Sequence, residues 1–374
     1  VTHYNRANAL RELGRHEEAL AGYAQASALG WDDPRVSYNR GHLCFDLGRF
    51  DEALAAYERA LAIDPGYVAA WTNRGNALQE LGRHGEALQS YARALALEPD
   101  NADALWNDAL CRLATGDLAG GWAGYEARWR IGYGPGPRSF PQPLWLGEQD
   151  PAGRDVLVHA EQGFGDTLQG CRYLPLLAAK GARVIVEVPA TLRRLMVAAP
   201  FSAQVRVVVC GEPLPAFDFH CPMMSLPLAF GTTLASIPAQ VPYLVAPPAL
   251  VSGWQDRLGP LDGLRVGLAW SGRPTHADDP SRSMALARLL EALALPGVSL
   301  VSLQKEVSAE DACLLAERGV VAVGRDVDDF ADTAAVISML DLVVTVDTAV
   351  AHLAGALGKP AWVLLASRPD WRWL

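Results

Sequence analysis

The sequence has no run of basic residues. It carries 32 Lys and Arg against 42 Asp and Glu, a formal net charge of −10, so a phosphate backbone would meet mainly repulsion and no nucleic-acid partner is expected. Cysteine is scarce: Cys44, Cys111, Cys171, Cys210, Cys221 and Cys313 are scattered, with no CxxC pair and no His/Cys cluster of zinc spacing. They read as reduced core residues of a cytoplasmic protein, with no metal site. No apolar run reaches membrane-spanning length, and Val1-Thr-His-Tyr-Asn-Arg6 already carries an amphipathic helical pattern. Neither signal peptide nor membrane anchor is therefore expected. An initiating Met is missing and the sequence stops in Trp371-Arg-Trp373-Leu374, so it reads as a trimmed stretch.

What is present is globular. Half of the 374 residues are apolar and 20% are charged, and the length divides naturally into two or three units. Displacing the sequence by 34 residues aligns Gly41 with Gly75, Gly48 with Gly82, Ala53 with Ala87, Tyr57 with Tyr91, Ala60 with Ala94 and Pro65 with Pro99. That period and those residue types are the tetratricopeptide signature. Small residues let paired helices approach, the tyrosine fills the gap, and the proline ends the second helix. An earlier copy shows Gly14, Ala19, Tyr23 and Ala26, and a degenerate later one Gly116 and Tyr125. Four helical pairs over 1–131 follow, with a Gly/Pro-rich linker from Gly132-Tyr-Gly-Pro-Gly-Pro137 to residue 150.

From residue 151 the pattern alternates. Short apolar runs at Val156–Ala160, Arg183–Val188 and Val205–Val209 are interleaved with helical periodicity, and after a Pro-rich segment the alternation resumes with Leu264–Trp270, Val298–Leu303, Asp341–Val346 and Ala361–Leu365. The expected fold class is α + α/β: a tetratricopeptide superhelix followed by two Rossmann-like doubly wound domains, 151–248 and 249–374. Ligands of such sheets bind outside the strand C-termini, so a cleft between the two is expected.

Three motifs fall there. In Val344-Thr-Val-Asp347-Thr348-Ala-Val-Ala-His352, a strand ends at Asp347, Thr348 opens a helix and His352 lies one turn on. A helix start of this kind attracts a pyrophosphate, although each residue alone could equally be a cap or a packed histidine. In Glu161-Gln-Gly163-Phe-Gly165-Asp166 the glycines permit positive φ or close approach. Asp166 could take a proton from an attacking hydroxyl or merely cap the turn, with His159 and His276 as alternative bases. A dinucleotide fingerprint is incomplete, because Leu168 stands where a third glycine belongs. In the polar loop 271–283, Arg273 and Arg282 could clamp phosphate oxygens, and Gln304 and Lys305 close another strand. A solvated loop explains any of these singly.

On these residues, the last ~215 positions resemble the two-Rossmann-domain (GT-B) glycosyltransferases related to ADP-heptose:lipopolysaccharide heptosyltransferases. Gly165-Asp166 is similar to that family's turn with its catalytic Asp, Asp347-Thr348 with His352 to its diphosphate motif, and Arg282 to a basic phosphate contact. Ala349 departs from the family's usual Gly, and Leu364–Pro369 from its usual segment. Repeats joined to such a half are also similar in architecture to the O-linked N-acetylglucosamine transferases.

The resemblance implies inverting transfer from a nucleoside-diphosphate sugar to an acceptor hydroxyl, with no cofactor and no essential metal. The alternative is a repeat scaffold with a degenerate transferase half. A protein or peptide partner is expected on the repeats, where Asn5, Asn39, Asn73 and Asn107 recur at one position. They form either a ladder for an extended peptide or bonds between neighbouring helices.

Overall fold

The structure, a computed structural model, describes residues 1–132, 136–272, 282–293 and 295–373. Its contacts divide the chain into Val1–Gly136 with Asp370–Leu374, and Pro137–Pro369.

The first unit holds eight helices in antiparallel pairs: α1 (Thr2–Glu12) with α2 (His16–Ala28), α3 (Pro34–Asp46) with α4 (Phe50–Ile63), α5 (Val68–Glu80) with α6 (His84–Leu97), and α7 (Ala102–Ala114) with α8 (Leu118–Tyr125). Gly14, Gly48, Gly82 and Gly116 adopt φ between 71° and 83° at the turn inside each pair, a left-handed conformation that only glycine takes without penalty. Between the helices of a pair the fit is tight: a Cβ on Gly41 would lie 2.7 Å from Tyr57 Cε1. Tyr23, Tyr57, Tyr91 and Tyr125 are all buried. The last pair closes differently. Chain beyond α8 tightens into a 3₁₀ turn, Glu126–Trp129, that buries Arg128 between the rings of Tyr125 and Trp129 and bonds it to Glu126 at 2.6 Å. Trp371 meets Trp122 and Tyr125 edge-on. The residues from Asp370 onward therefore group with the repeats, rather than with the domain ending at 374 to which the sequence pattern assigns them.

The second unit contains two parallel sheets. Sheet A, ordered β3-β2-β1-β4, comprises β1 (Asp155–His159), β2 (Arg183–Val188), β3 (Val205–Val209) and β4 (Phe219–Pro222), with α9 (Phe164–Gly170), α10 (Leu174–Ala179) and α11 (Arg193–Ala198) in the connections and α12 (Leu226–Ala229) after β4. α13 (Pro248–Leu258) leads to sheet B, ordered β7-β6-β5-β8-β9: β5 (Leu264–Ala269), α14 (Leu286–Leu293), β6 (Val298–Ser302), α15 (Ala309–Glu317), β7 (Val321–Ala322), α16 (Phe330–Ser338), β8 (Leu342–Val346), α17 (Ala349–Ala356) and β9 (Ala361–Leu364). Each sheet reverses its strand order once, between β1 and β4 and between β5 and β8, and such switch points open a crevice at the strand C-termini.

The halves share a hydrophobic cluster that runs from Val156 and Val184 through Leu303, Ala334 and Val343 to Leu353. On its other face, sheet A is covered by coil: Phe140, Leu214 and Phe217 lie over Leu157, Ile185 and Val208. Part of the stretch expected as linker is thus a packed strap, Arg138–Trp145, tied to β4 by Trp145 N–H donating to His220 O at 2.8 Å. Four cysteines are buried as expected, but Cys210 and Cys313 are exposed, one just past the sheet's edge strand and one on α15.

Candidate functional site

α9 packs against α17, joining the turn after β1 to the helix after β8. Gly165 makes this possible. A Cβ there would stand 2.7 Å from His352 Cδ2, 3.3 Å from its Nε2 and 3.7 Å from Ala349 Cα. Neither Gly163, at φ −68°, nor Gly165 has positive φ; close approach explains Gly165, and what approaches is the chain's own histidine. The two strongest sequence motifs therefore meet.

Asp166 sits in the first turn of α9, partly exposed, and its Oδ2 accepts the Gly163 N–H at 2.9 Å. Across the contact, β8 ends and Thr348 takes extended φ/ψ (−144°, 172°) as the N-cap of α17, without a side-chain bond to the helix. Its hydroxyl lies 3.1 Å from that of Thr345, which donates to Val346 O. The first-turn N–H groups of α17 thus receive no cap from Thr348, which suits an anion. Arg282 Nη1 stands 4.0 Å from Asp347 Oδ2, and its Nε is buried without a hydrogen-bond partner. These residues form one constellation: Asp166, Gly165, His352, Thr348, Asp347 and Arg282. Arg273 and His276 lie outside the described residues.

Gln304 and Lys305 are engaged elsewhere. Gln304 is buried, and its Oε1 accepts from the N–H groups of Trp270 and Ser271, both at 3.3 Å. Lys305 Nζ donates to Val327 O and Asp328 O at 3.0 and 3.2 Å. Both shape the loops bordering the crevice. Among the described residues no three His, Cys, Asp or Glu side chains converge to hold a metal ion, and no helix is long and apolar enough to cross a membrane. A hollow of about 770 Å³ lies at the opposite end of sheet A, lined by Asp155, Arg183 and Gln204 where the strands begin.

In the repeats, Asn39 Nδ2 donates to Tyr4 Oη at 2.9 Å and to Asn8 at 3.2 Å, and Asn73 Nδ2 donates to Tyr38 Oη at 2.9 Å. These two asparagines spend amide hydrogens on the preceding repeat. Asn5 is exposed and Asn107 partly so.

Sequence reasoning missed an ion pair that ties the halves of the α/β unit. Arg194 on α11 bonds Asp329 at 2.7 and 2.9 Å and Asp332 at 2.5 Å, while Trp254 Nε1 on α13 donates to Asp332 at 2.9 Å. Asp329 also caps α16. Burial pushes the Asp329 carboxyl up, and Arg194 together with the helix N–H groups holds it below its ordinary value all the same.

Comparison with known proteins agrees with this division. Tetratricopeptide-repeat family models match residues 41–82 and 68–101, and the glycosyltransferase family 9 (heptosyltransferase) model matches residues 315–370, a stretch that holds Asp347, Thr348 and His352. Protein FlbA of Caulobacter vibrioides is 28% identical over 285 residues, 68% of this chain and 47% of that protein. The chain thus spans about half the length of this relative. Among solved structures, the Arabidopsis OM64 TPR domain is 29% identical, covering 30% of this chain and 92% of that one, with a TM-score of 0.29. The first TPR of Spaghetti (RPAP3), bound to an HSP90 peptide, is 27% identical over 30% of this chain and 90% of its own, with a TM-score of 0.30. Part of the helical repeats thus matches tetratricopeptide-repeat models, and part of the C-terminal α/β unit matches the glycosyltransferase family 9 (heptosyltransferase) model.

Proposed function

We propose that the α/β unit is an inverting glycosyltransferase that uses a nucleoside-diphosphate sugar, and that the repeats engage a protein partner. The observation that carries this reading is the contact of Gly165 with His352, which sets the Asp166 turn beside the helix opened by Thr348.

In this reading the donor diphosphate lies on the first turn of α17, against Thr348, His352 and Arg282. An acceptor hydroxyl attacks the anomeric carbon from the Asp166 side. As the new C–O bond forms, the bond to the diphosphate breaks, the hydroxyl proton passes to the Asp166 carboxylate, and the nucleoside diphosphate leaves with the electron pair. The helix start and the guanidinium stabilise the charge it gains. Arg282 must share its charge between the diphosphate and Asp347.

One observation favours a second reading, a binding protein with an inactive transferase half: Asp166 already accepts a hydrogen bond from its own turn. Thermal shift with UDP-, GDP-, ADP- and CMP-sugars, followed by slow donor hydrolysis without acceptor, separates the two. A ligand at ~100 times its dissociation constant adds ~2.7 kcal/mol of apparent stability. A donor that stabilises the chain and is hydrolysed supports the transferase. Stabilisation without hydrolysis supports the binding protein, and no response to any donor refutes both.

A further inference from the structure

The coil-covered face of sheet A carries side chains that its aliphatic surroundings do not account for. His159 at the end of β1, Glu187 opposite it on β2 and His220 on β4 are all buried. The two imidazoles stack with centroids 5.7 Å apart and planes 28° from parallel. Phe140 of the strap lies over both, 4.8 Å from His220 and 5.8 Å from His159, and Arg138 lies 4.7 Å over Phe140 while pairing with Glu187. Burying ionisable groups beside Leu157, Ile185 and Val208 costs stability unless they are kept neutral or paired.

His220 also holds the strap by its main chain, accepting from Trp145 N–H at 2.8 Å and donating to Pro143 O at 3.2 Å. Its Nδ1 is buried with no hydrogen-bond partner. An imidazolium needs acceptors for two N–H groups, and the nearby carboxylate, Glu187, is already bonded to Arg138. Cys210, exposed just past β3, senses the same carboxylate: partial burial first and Glu187 second push its thiol up.

We propose that the strap Arg138–Trp145 is a pH-sensitive clasp, closed over a neutral His220 and released from sheet A when His220 is protonated in mildly acidic solution. Burial first, and Arg138 second, hold His220 below the ordinary histidine value of 6.5. The sign follows: the open strap binds protons more readily than the closed one, so closure is strongest above pH 6.5 and weakens as pH falls toward the depressed value. Over that window protonation of His220 raises the open fraction by up to about tenfold per pH unit.

The test is amide hydrogen exchange of the whole chain between pH 7.5 and 5, corrected for intrinsic rates. Protection of the Trp145 amide is expected to fall by up to about fivefold between pH 6.5 and 5.5, while amides of β1 and β2 stay protected. In His220→Phe, which keeps the stacking and removes the proton site, the fall should shrink. In Arg138→Met, which removes the opposing cation, it should begin at higher pH. Constant protection, parallel loss in β1 and β2, or the same pH dependence in both variants would overturn the clasp.

Discussion

Replacing Gly165 by Ala tests the contact on which the site depends. The added methyl would sit 2.7 Å from His352 Cδ2 and 3.3 Å from Nε2, with Ala349 Cα behind at 3.7 Å, so the ring or the helix must move. Overpacking of this kind costs ~1–3 kcal/mol. Alanine inside α9 returns ~0.5–1 kcal/mol relative to glycine, leaving a net loss of ~0.5–2 kcal/mol. For an α/β unit of this size that lowers the melting temperature by ~1–8 °C. Calorimetry on Gly165→Ala, His352→Ala and the pair closes a double-mutant cycle. In the His352→Ala background the methyl gains space, so its cost should vanish and a coupling above ~0.5 kcal/mol should appear. An equal cost in both backgrounds, or no cost in either, would refute the close approach and with it the juxtaposition of the two motifs.

Asp166→Asn should abolish transfer while leaving nucleotide affinity nearly unchanged; turnover within a few-fold of wild type would remove the base assignment. Thr348→Ala and His352→Ala should each weaken nucleoside-diphosphate binding by ~1.5–3 kcal/mol if their contacts are charge-assisted, measured by calorimetry on folded variants. Asn39→Ala with Asn73→Ala should destabilise the repeats by ~1 kcal/mol per lost tyrosine bond; unchanged stability with impaired partner binding would restore the peptide-ladder role. Arg194→Ala should loosen the two halves and flatten acid sensitivity. Asp329 is held below its unfolded value of 3.8, so the pair's contribution is complete above that value and is lost as pH falls through the lower folded one. Identical acid melts of variant and wild type would refute the link.

The repeats were legible because each helix pair solves the same packing problem every 34 residues, so the spacing of Gly41, Tyr57 and Ala60 carries the geometry. The ladder asparagines were legible as a recurrence, but their role was not. Their bonds reach tyrosines 35 residues back, one position off the period, and only stacked helices bring such residues together. Gly165 was visible as one glycine of a weak motif, whereas its reason lies nearly two hundred residues on, in His352. Gln304 and Lys305 stood out as polar residues at a strand end, but their bonds to backbone groups of neighbouring loops were not legible. Glu187 stood out within Arg183-Val-Ile-Val-Glu-Val188 as a charge inside a buried strand, a signal that sequence reading passed over.

The seating of Trp371 on Trp122 and Tyr125, with Arg372 stacked on Trp371 at 4.3 Å, has a consequence for the order in which the chain acquires its structure. Topologically the α/β unit is an insertion: the chain leaves the repeat unit at Gly136 and rejoins it at Asp370. During synthesis the eight helices can pair as they emerge, since their contacts are local. The aromatic surface of the last pair instead waits for the whole intervening unit to be made. The Trp371 contact therefore closes a long loop within the repeat unit, and the entropy of that closure grows only slowly with the length of the inserted unit.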